Sequence, residues 1–304
     1  EHGSATALGI ASFGPVDLRR DSPTYGFITS TPKPHWADTD LIGYFARTLG
    51  LPIRFDTDVN GALLAEQRWG AAQGLHSAVY VTIGTGIGAG VMVDGHLLHG
   101  AMHPEAGHML VPRYPGDPLS GACPYHGGCL EGLAAGPALQ QRWQQSPKNL
   151  PDGHTAWELQ AHYLAMMCVN LALTYSPQRI VLGGGIMERA ELLPMVRRAY
   201  LAQINGYLGD QKAVMDSFIT APGLGSRVRC VQLGPADAQV RGRAPGGHRG
   251  HAGHERPRAH ARQPRRGDGT AADPGARPAD DRAGAVAAGR LSRPEIVAAA
   301  SRRG

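Results

Sequence analysis

H-P-E-A-G-H at residues 103–108 and, after a loop-like run, C-P-Y-H-G-G-C-L-E at residues 123–131 form the stretch around which the chain is organised. His108, Cys123, His126 and Cys129 can converge on one metal ion. Cys-x2-His-x2-Cys is a compact chelate, and an upstream His completes four ligands. Two thiolates and two imidazoles suit tetrahedral zinc. Glu105 and Glu131 bracket the ligands and are not needed by the metal, so both are left to bind something polar. His103 is surplus to the set. The alternative is two buried thiols and surface histidines, but three candidate ligands fall within seven consecutive positions.

The chain of 304 residues is long enough for one large domain or two lobes with a real core. Of its four Cys, two lie in the motif, and Cys168 and Cys230 are isolated. That is no disulfide framework, and it fits a reducing compartment such as the cytoplasm. No run approaches about twenty apolar residues, so no membrane span and no signal peptide are expected. The net charge of +5 is unevenly placed. From Pro235 onward there are 14 Arg, no Lys and 7 acidic residues, a net of +7, whereas the preceding 234 residues carry a net of −2. The body therefore has no basic footprint for nucleic acid.

In chain order, residues 7–12 read as a buried strand running into the loop S-F-G-P-V-D, and T-P-K-P-H-W at 31–36 is a second loop. Residues 40–50 have helical spacing, with Asp38 or Thr39 as cap. A strand at 52–56 ends in F-D-T-D-V-N-G-A, and a helix over 59–69 follows. Asp58 at this junction can take a proton from a hydroxyl, or merely cap the helix; Asn60 can hold a neighbouring hydroxyl. Strand 78–83, the turn G-T-G-I-G-A-G and strand 91–93 predict a hairpin, which argues against a dinucleotide fingerprint. Its backbone N–H groups, with Thr82 and Thr85, can meet phosphate oxygens, or the glycines simply permit tight turning. Helices are expected over 132–143, 155–175 (capped by Thr155, with Met166 and Met167 in the core) and 187–205. Strand 179–182 ends in Gly183, Gly184 and Gly185, which suit a base and ribose lying flat on the backbone, or a close turn. A last strand is expected over 226–233. Beyond Pro235 the Arg/Gly/Ala/Pro composition lacks apolar periodicity and predicts disorder, with at most a short helix at 294–302. It reads as the out-of-frame product of a GC-rich gene in preference to an RNA- or DNA-binding arm.

The motifs H-P-E-A-G-H, C-P-Y-H-G-G-C-L-E, F-D-T-D-V-N-G-A and V-T-I-G-T-G-I-G-A-G together resemble the ROK family of sugar kinases. The loops S-F-G-P-V-D and T-P-K-P-H-W point to its bacterial fructokinases. The resemblance covers residues 9–234. It implies an α/β fold, the actin-like ATPase (ribonuclease H-like) fold of two lobes, here with the first lobe incomplete. It implies domains at 1–59 (remnant of the first lobe), 60–234 (second lobe with the zinc motif) and 235–304 (tail). It also implies ATP-dependent phosphorylation of a hexose, fructose above all, with Mg2+ at the phosphates and a structural Zn2+ beside the sugar. Residue by residue, Asp58 matches the catalytic base. Asn60, Glu105, His108 and Glu131 match the sugar site. Gly84, Thr85 and Gly86, with Thr82, match the phosphate loop, and Gly183 and Gly184 the adenosine side. His108, Cys123, His126 and Cys129 match the zinc ligands. Thr57 stands where many relatives have Asn, as expected for the fructokinase branch. A homodimer is implied for the intact family member, with no membrane and no nucleic-acid partner. The D-x-G-G-T hairpin of the family does not precede Ala7, nor does its final helix follow Gly234, so the chain as given is expected to phosphorylate weakly. An inactive remnant and a sugar-responsive regulator are the alternatives.

Overall fold

The computed structural model describes residues 6–225 and 296–301. The chain opens with β1 (Ala7–Ser12), β2 (Phe27–Ile28), β3 (Thr39–Asp40), α1 (Leu41–Leu49), β4 (Ile53–Thr57) and α2 (Asp58–Trp69). The hairpin strands β5 (Ala78–Ile83) and β6 (Ile87–Val93) follow, then β7 (His96–Leu97). After the metal motif come α3 (Leu130–Ala134), α4 (Gly136–Trp143), α5 (Thr155–Tyr175), β8 (Arg179–Gly183) and α6 (Leu192–Ile204). The described chain ends with α7 (Met215–Phe218), β9 (Ile219–Thr220) and a separate β10 (Ile296–Ser301).

Two principal sheets result. In one, β1 pairs parallel with β4 and antiparallel with β10. The other has the order β7-β6-β5-β8-β9, with β5 antiparallel to β6 and parallel to β8. Alternation along β5 sends Val79, Val81 and Ile83 into a core shared with α3, α5 and α6. Ala78 and the partly buried Tyr80 face the other way, toward Leu63 of α2. The larger sheet is thus covered on both faces. Helix α2 also reaches the smaller sheet: a Cβ on Gly61 would lie 2.9 Å from that of Ala11 in β1, and one on Gly90 of β6 would lie 2.5 Å from the carbonyl oxygen of Val59.

Local chemistry sets the helix ends. Asp40 caps α1, its Oδ1 accepting from the Gly43 N–H at 2.7 Å, where Asp38 or Thr39 was expected. Helix α5 matches its expected bounds, but His154 is the cap, with Nδ1 accepting from Ala156 N–H. The helix expected over 132–143 breaks at Ala135, whose ψ of 168° is extended. Pro137 follows in the first turn of α4; it lacks the N–H that a continuous helix would donate to the Leu133 carbonyl, and its ring would crowd that carbonyl. The helix expected over 187–205 starts only at Leu192. Before it, Arg189 is drawn to the Leu150 carbonyl and stacks 4.2 Å from the Trp157 ring centroid, holding residues 184–190 in turns. The tail is also corrected in part: residues 296–301 are a strand paired in register with β1, not a helix or disorder. Edge N–H and C=O groups on β1 favour such pairing over a short isolated helix. The strand expected over 226–233, Cys230 and the remaining tail lie outside the described residues.

Candidate active site

The loop joining the two halves of the Cys/His motif is anchored from below. Asp117 is buried and accepts from Arg142 Nε and Nη2 at 2.8 and 2.9 Å and from the Tyr163 hydroxyl at 2.7 Å. Burial raises the Asp117 pKa, but the Arg142 and Tyr163 hydrogen bonds outweigh it and hold the carboxyl below its ordinary value. This network ties the loop to α4 and α5, and nothing in the sequence reading singled it out.

Above it, the four residues read as metal ligands do converge. One donor atom from each of His108, Cys123, His126 and Cys129 lies within 4.8 Å of all the others. Cys123 Sγ is 3.7 Å from Nδ1 of both His108 and His126, and Cys129 Sγ is 3.5 Å from His108 Nδ1. Bonds of about 2.3 Å to sulfur and about 2.05 Å to nitrogen around a tetrahedral ion separate S from N by about 3.5 Å. The donor set therefore fits zinc in chemistry and in spacing. Burial, with the neighbouring Cys123 and Glu131 charges, pushes the Cys129 thiol up to about 11. A dication at the centre reverses that preference.

His108 uses Nδ1 on the cluster side, and its Nε2 lies 3.9 Å from Glu131 Oε1. Glu131 is in the first turn of α3. Its other oxygen accepts from the Ile87 N–H at 2.9 Å, at the start of β6. Glu105 precedes the 3₁₀ turn Ala106–His108. Its carboxyl is raised to about 7 by burial, then by the charges of Glu131 and Asp58. The charges of Glu131 and Asp58 both reach Glu105. Asp58 is the first residue of α2, where the helix dipole favours an anion. Capping there is done by Thr57, whose Oγ1 accepts from Asn60 N–H at 3.2 Å, so the alternative of Asp58 as N-cap does not hold.

Asn60 is placed differently from expectation. It is 1% exposed, its Nδ2 donates to Asp56 Oδ1 at 2.6 Å, and it lies 3.4 Å from His99 Nε2. His99 in turn is 3.0 Å from Asp56 Oδ2. The Asn60 Nδ2 thus serves an Asp56–His99 pair, of which only Asp56 lies in a quoted motif. His103, surplus in the sequence reading, is also buried, between Val16 and Glu105.

The glycine loops leave adjacent parallel strands on the same side. Thr82 pairs with Gly183, so the hairpin tip 84–86 and the turn 183–185 emerge together at the carboxyl ends of β5 and β8, where α/β sheets bind ligands. The hairpin is antiparallel, as expected. Thr85 is exposed at its tip. Gly183 and Gly184 have packing reasons of their own. A Cβ on Gly183 would meet the Tyr80 hydroxyl at 2.5 Å, and Gly184 has φ +91° with a Cβ position 2.4 Å from the Ile83 carbonyl oxygen. Gly84 and Gly185 face open space.

A family model described as the ROK family matches residues 1–225. The chain is 47% identical over 227 residues to the fructokinase of Zymomonas mobilis subsp. mobilis, covering 74% of this chain and 75% of that protein. It is 42% identical over 220 residues to the fructokinase of Pediococcus pentosaceus, covering 72% and 76%. Among solved structures, a ROK hexokinase from Thermus thermophilus superposes with a TM-score of 0.57 at 29% identity, covering 71% of this chain and 72% of that one.

Proposed function

The chain belongs to the ROK family and, with fructokinases at 42–47% identity, is a sugar kinase, and from this premise we propose that it transfers the γ-phosphoryl group of ATP to a hexose, fructose first among them. The observation that carries the reading is the gathering of His108, Cys123, His126 and Cys129 into one four-donor cluster, with His108 Nε2 3.9 Å from Glu131 Oε1. ATP enters as its magnesium complex, with its phosphates toward the hairpin tip 84–86 and its adenosine toward the turn 183–185. Glu105, Glu131 and His108 Nε2 hold the sugar hydroxyls. Asp58 accepts the proton of the attacking hydroxyl as its oxygen bonds to the γ-phosphorus and the bond to ADP breaks. Asn60 orients Asp56 and His99 at the back of the site and is not assigned a hydroxyl.

Zinc would be held by His108, Cys123, His126 and Cys129. All four positions are protein ligands, which makes the ion structural. It fixes the His108 ring, and through it the geometry facing Glu131. The named fructokinases at 42–47% identity support fructose as the acceptor.

Asp58→Asn tests the assignment. The expected result is a fall in kcat of about 10³-fold, with KM for fructose within about threefold of wild type. Equal kcat in the two proteins would remove Asp58 from the chemistry.

A further inference from the structure

The two ring nitrogens of His103 have different partners. Nε2 lies 3.1 Å from the backbone N–H of Val16. A backbone N–H only donates, so Nε2 carries the lone pair and the proton of the neutral ring sits on Nδ1. Nδ1 lies 3.4 Å from Oε1 of Glu105, a polar contact. The ring is buried, and burial lowers its pKa, in keeping with the neutral tautomer. A protonated ring would turn a donor against the Val16 N–H.

The same loop presses on both partners sterically. A Cβ on Gly14 would lie 2.8 Å from His103 Cε1 and 3.0 Å from Glu105 Oε1. Gly14 and Val16 follow β1 in the smaller sheet, and residues 103–105 follow β7 in the larger one. His103 is thus a link through which a loop of one sheet reaches a carboxylate that senses the charges of Glu131 and Asp58.

We propose that His103 is a positioning residue for the sugar site: its neutral imidazole, held by the Val16 N–H, aims Glu105 Oε1 and leaves the second carboxylate oxygen to a sugar hydroxyl. The assignment rests on the reading of Glu105 as a sugar contact. His103 touches no substrate and moves no proton. Loss of the ring and of its Nδ1 contact frees the Glu105 side chain, so sugar affinity falls while the nucleotide side of the site is untouched.

The test is calorimetric titration of the full chain with fructose at neutral pH, for wild type, His103→Leu, His103→Asn and Glu105→Gln. Asn keeps a donor close to the position of Nδ1. Leu removes the polar contact to Glu105 and is expected to weaken fructose binding about 10-fold or more. Asn is expected to restore it to within about threefold. Zinc content and affinity for a non-hydrolysable ATP analogue should match wild type in both. Wild-type fructose affinity in His103→Leu overturns the proposal. So does an Asn variant as weak as Leu with zinc and nucleotide binding intact, since the ring would then be mere filler. If His103→Leu does not fold, Gly14→Ala applies the same displacement, and unchanged fructose affinity there overturns the proposal as well. Unaltered binding in Glu105→Gln locates the failure in the reading of Glu105 and takes this inference with it. A wild-type chain that binds no hexose removes the proposed function itself.

Discussion

Glu131 reaches across the site to Ile87: its Oε2 accepts the Ile87 backbone N–H at 2.9 Å, so a carboxylate assigned to the sugar also holds the base of the glycine hairpin. On the proposed reading, sugar and phosphate ends share one side chain. Gln at 131 can still accept from Ile87 through its amide oxygen, whereas Ala cannot. Steady-state kinetics should show KM for fructose raised about 10-fold or more in both Glu131→Gln and Glu131→Ala, with KM for ATP raised only in Glu131→Ala. A Gln variant that loses ATP affinity as severely as Ala would deny the hairpin contact this role.

The Cys/His cluster should bind one zinc per chain. Cys123→Ser removes a soft ligand from a closed site, and metal analysis should find the zinc largely lost. Thermal unfolding should shift down by about 5 °C or more, because metal binding free energy is here folding free energy. An unchanged Tm with full zinc content would mean that Cys123 is not a ligand.

Glu105 should leave a mark on stability against pH. Its folded pKa is raised to about 7 from an ordinary 4.5, so the folded state binds the proton more tightly than the unfolded chain. The stabilising contribution is full below about pH 4.5 and is lost as pH rises toward and through about 7. Glu105→Gln, neutral throughout, should flatten that part of the profile and be the more stable protein at pH 8 by on the order of 2 kcal/mol. Urea denaturation of the sugar-free protein at several pH values reads the difference; parallel profiles would contradict it.

Gly107 lies against the backbone of β6. A Cβ there would be 1.8 Å from the Ile87 carbonyl oxygen and 2.7 Å from its carbon. Neither atom can move without disturbing the hairpin. Gly107→Ala should therefore cost about 3 kcal/mol in urea denaturation, at the upper end of overpacking penalties. It should also weaken fructose binding, since Glu105 and His108 flank the displaced turn. A loss below about 0.5 kcal/mol would show that the turn gives way easily.

Much of the site was legible because its signals are short-range. Cys123, His126 and Cys129 are spaced as a chelate whatever the rest of the chain does. Strand β5, the glycine turn and β6 have a pattern that only a hairpin satisfies, and α5 shows its length in an unbroken helical run. The misreadings come from competition that local pattern does not register. The start of α6 was placed too early because Arg189 bonds to Leu150 and stacks on Trp157, both distant in sequence. The Asn60 motif likewise does not announce that Nδ2 is committed to Asp56, while Oδ1 has no hydrogen-bond partner in the protein.

By itself the sequence determined the family, the strand-turn-strand nature of the glycine loop, and the four Cys and His side chains that the fold gathers into one cluster, because each depends on residues close together along the chain. Only the tertiary structure decided what lies between those pieces: Val16 against His103, Glu131 against Ile87, and Asp117 on Arg142 and Tyr163. Such contacts form when separate elements pack on a common core. Their partners follow from three-dimensional proximity, which one-dimensional spacing does not encode.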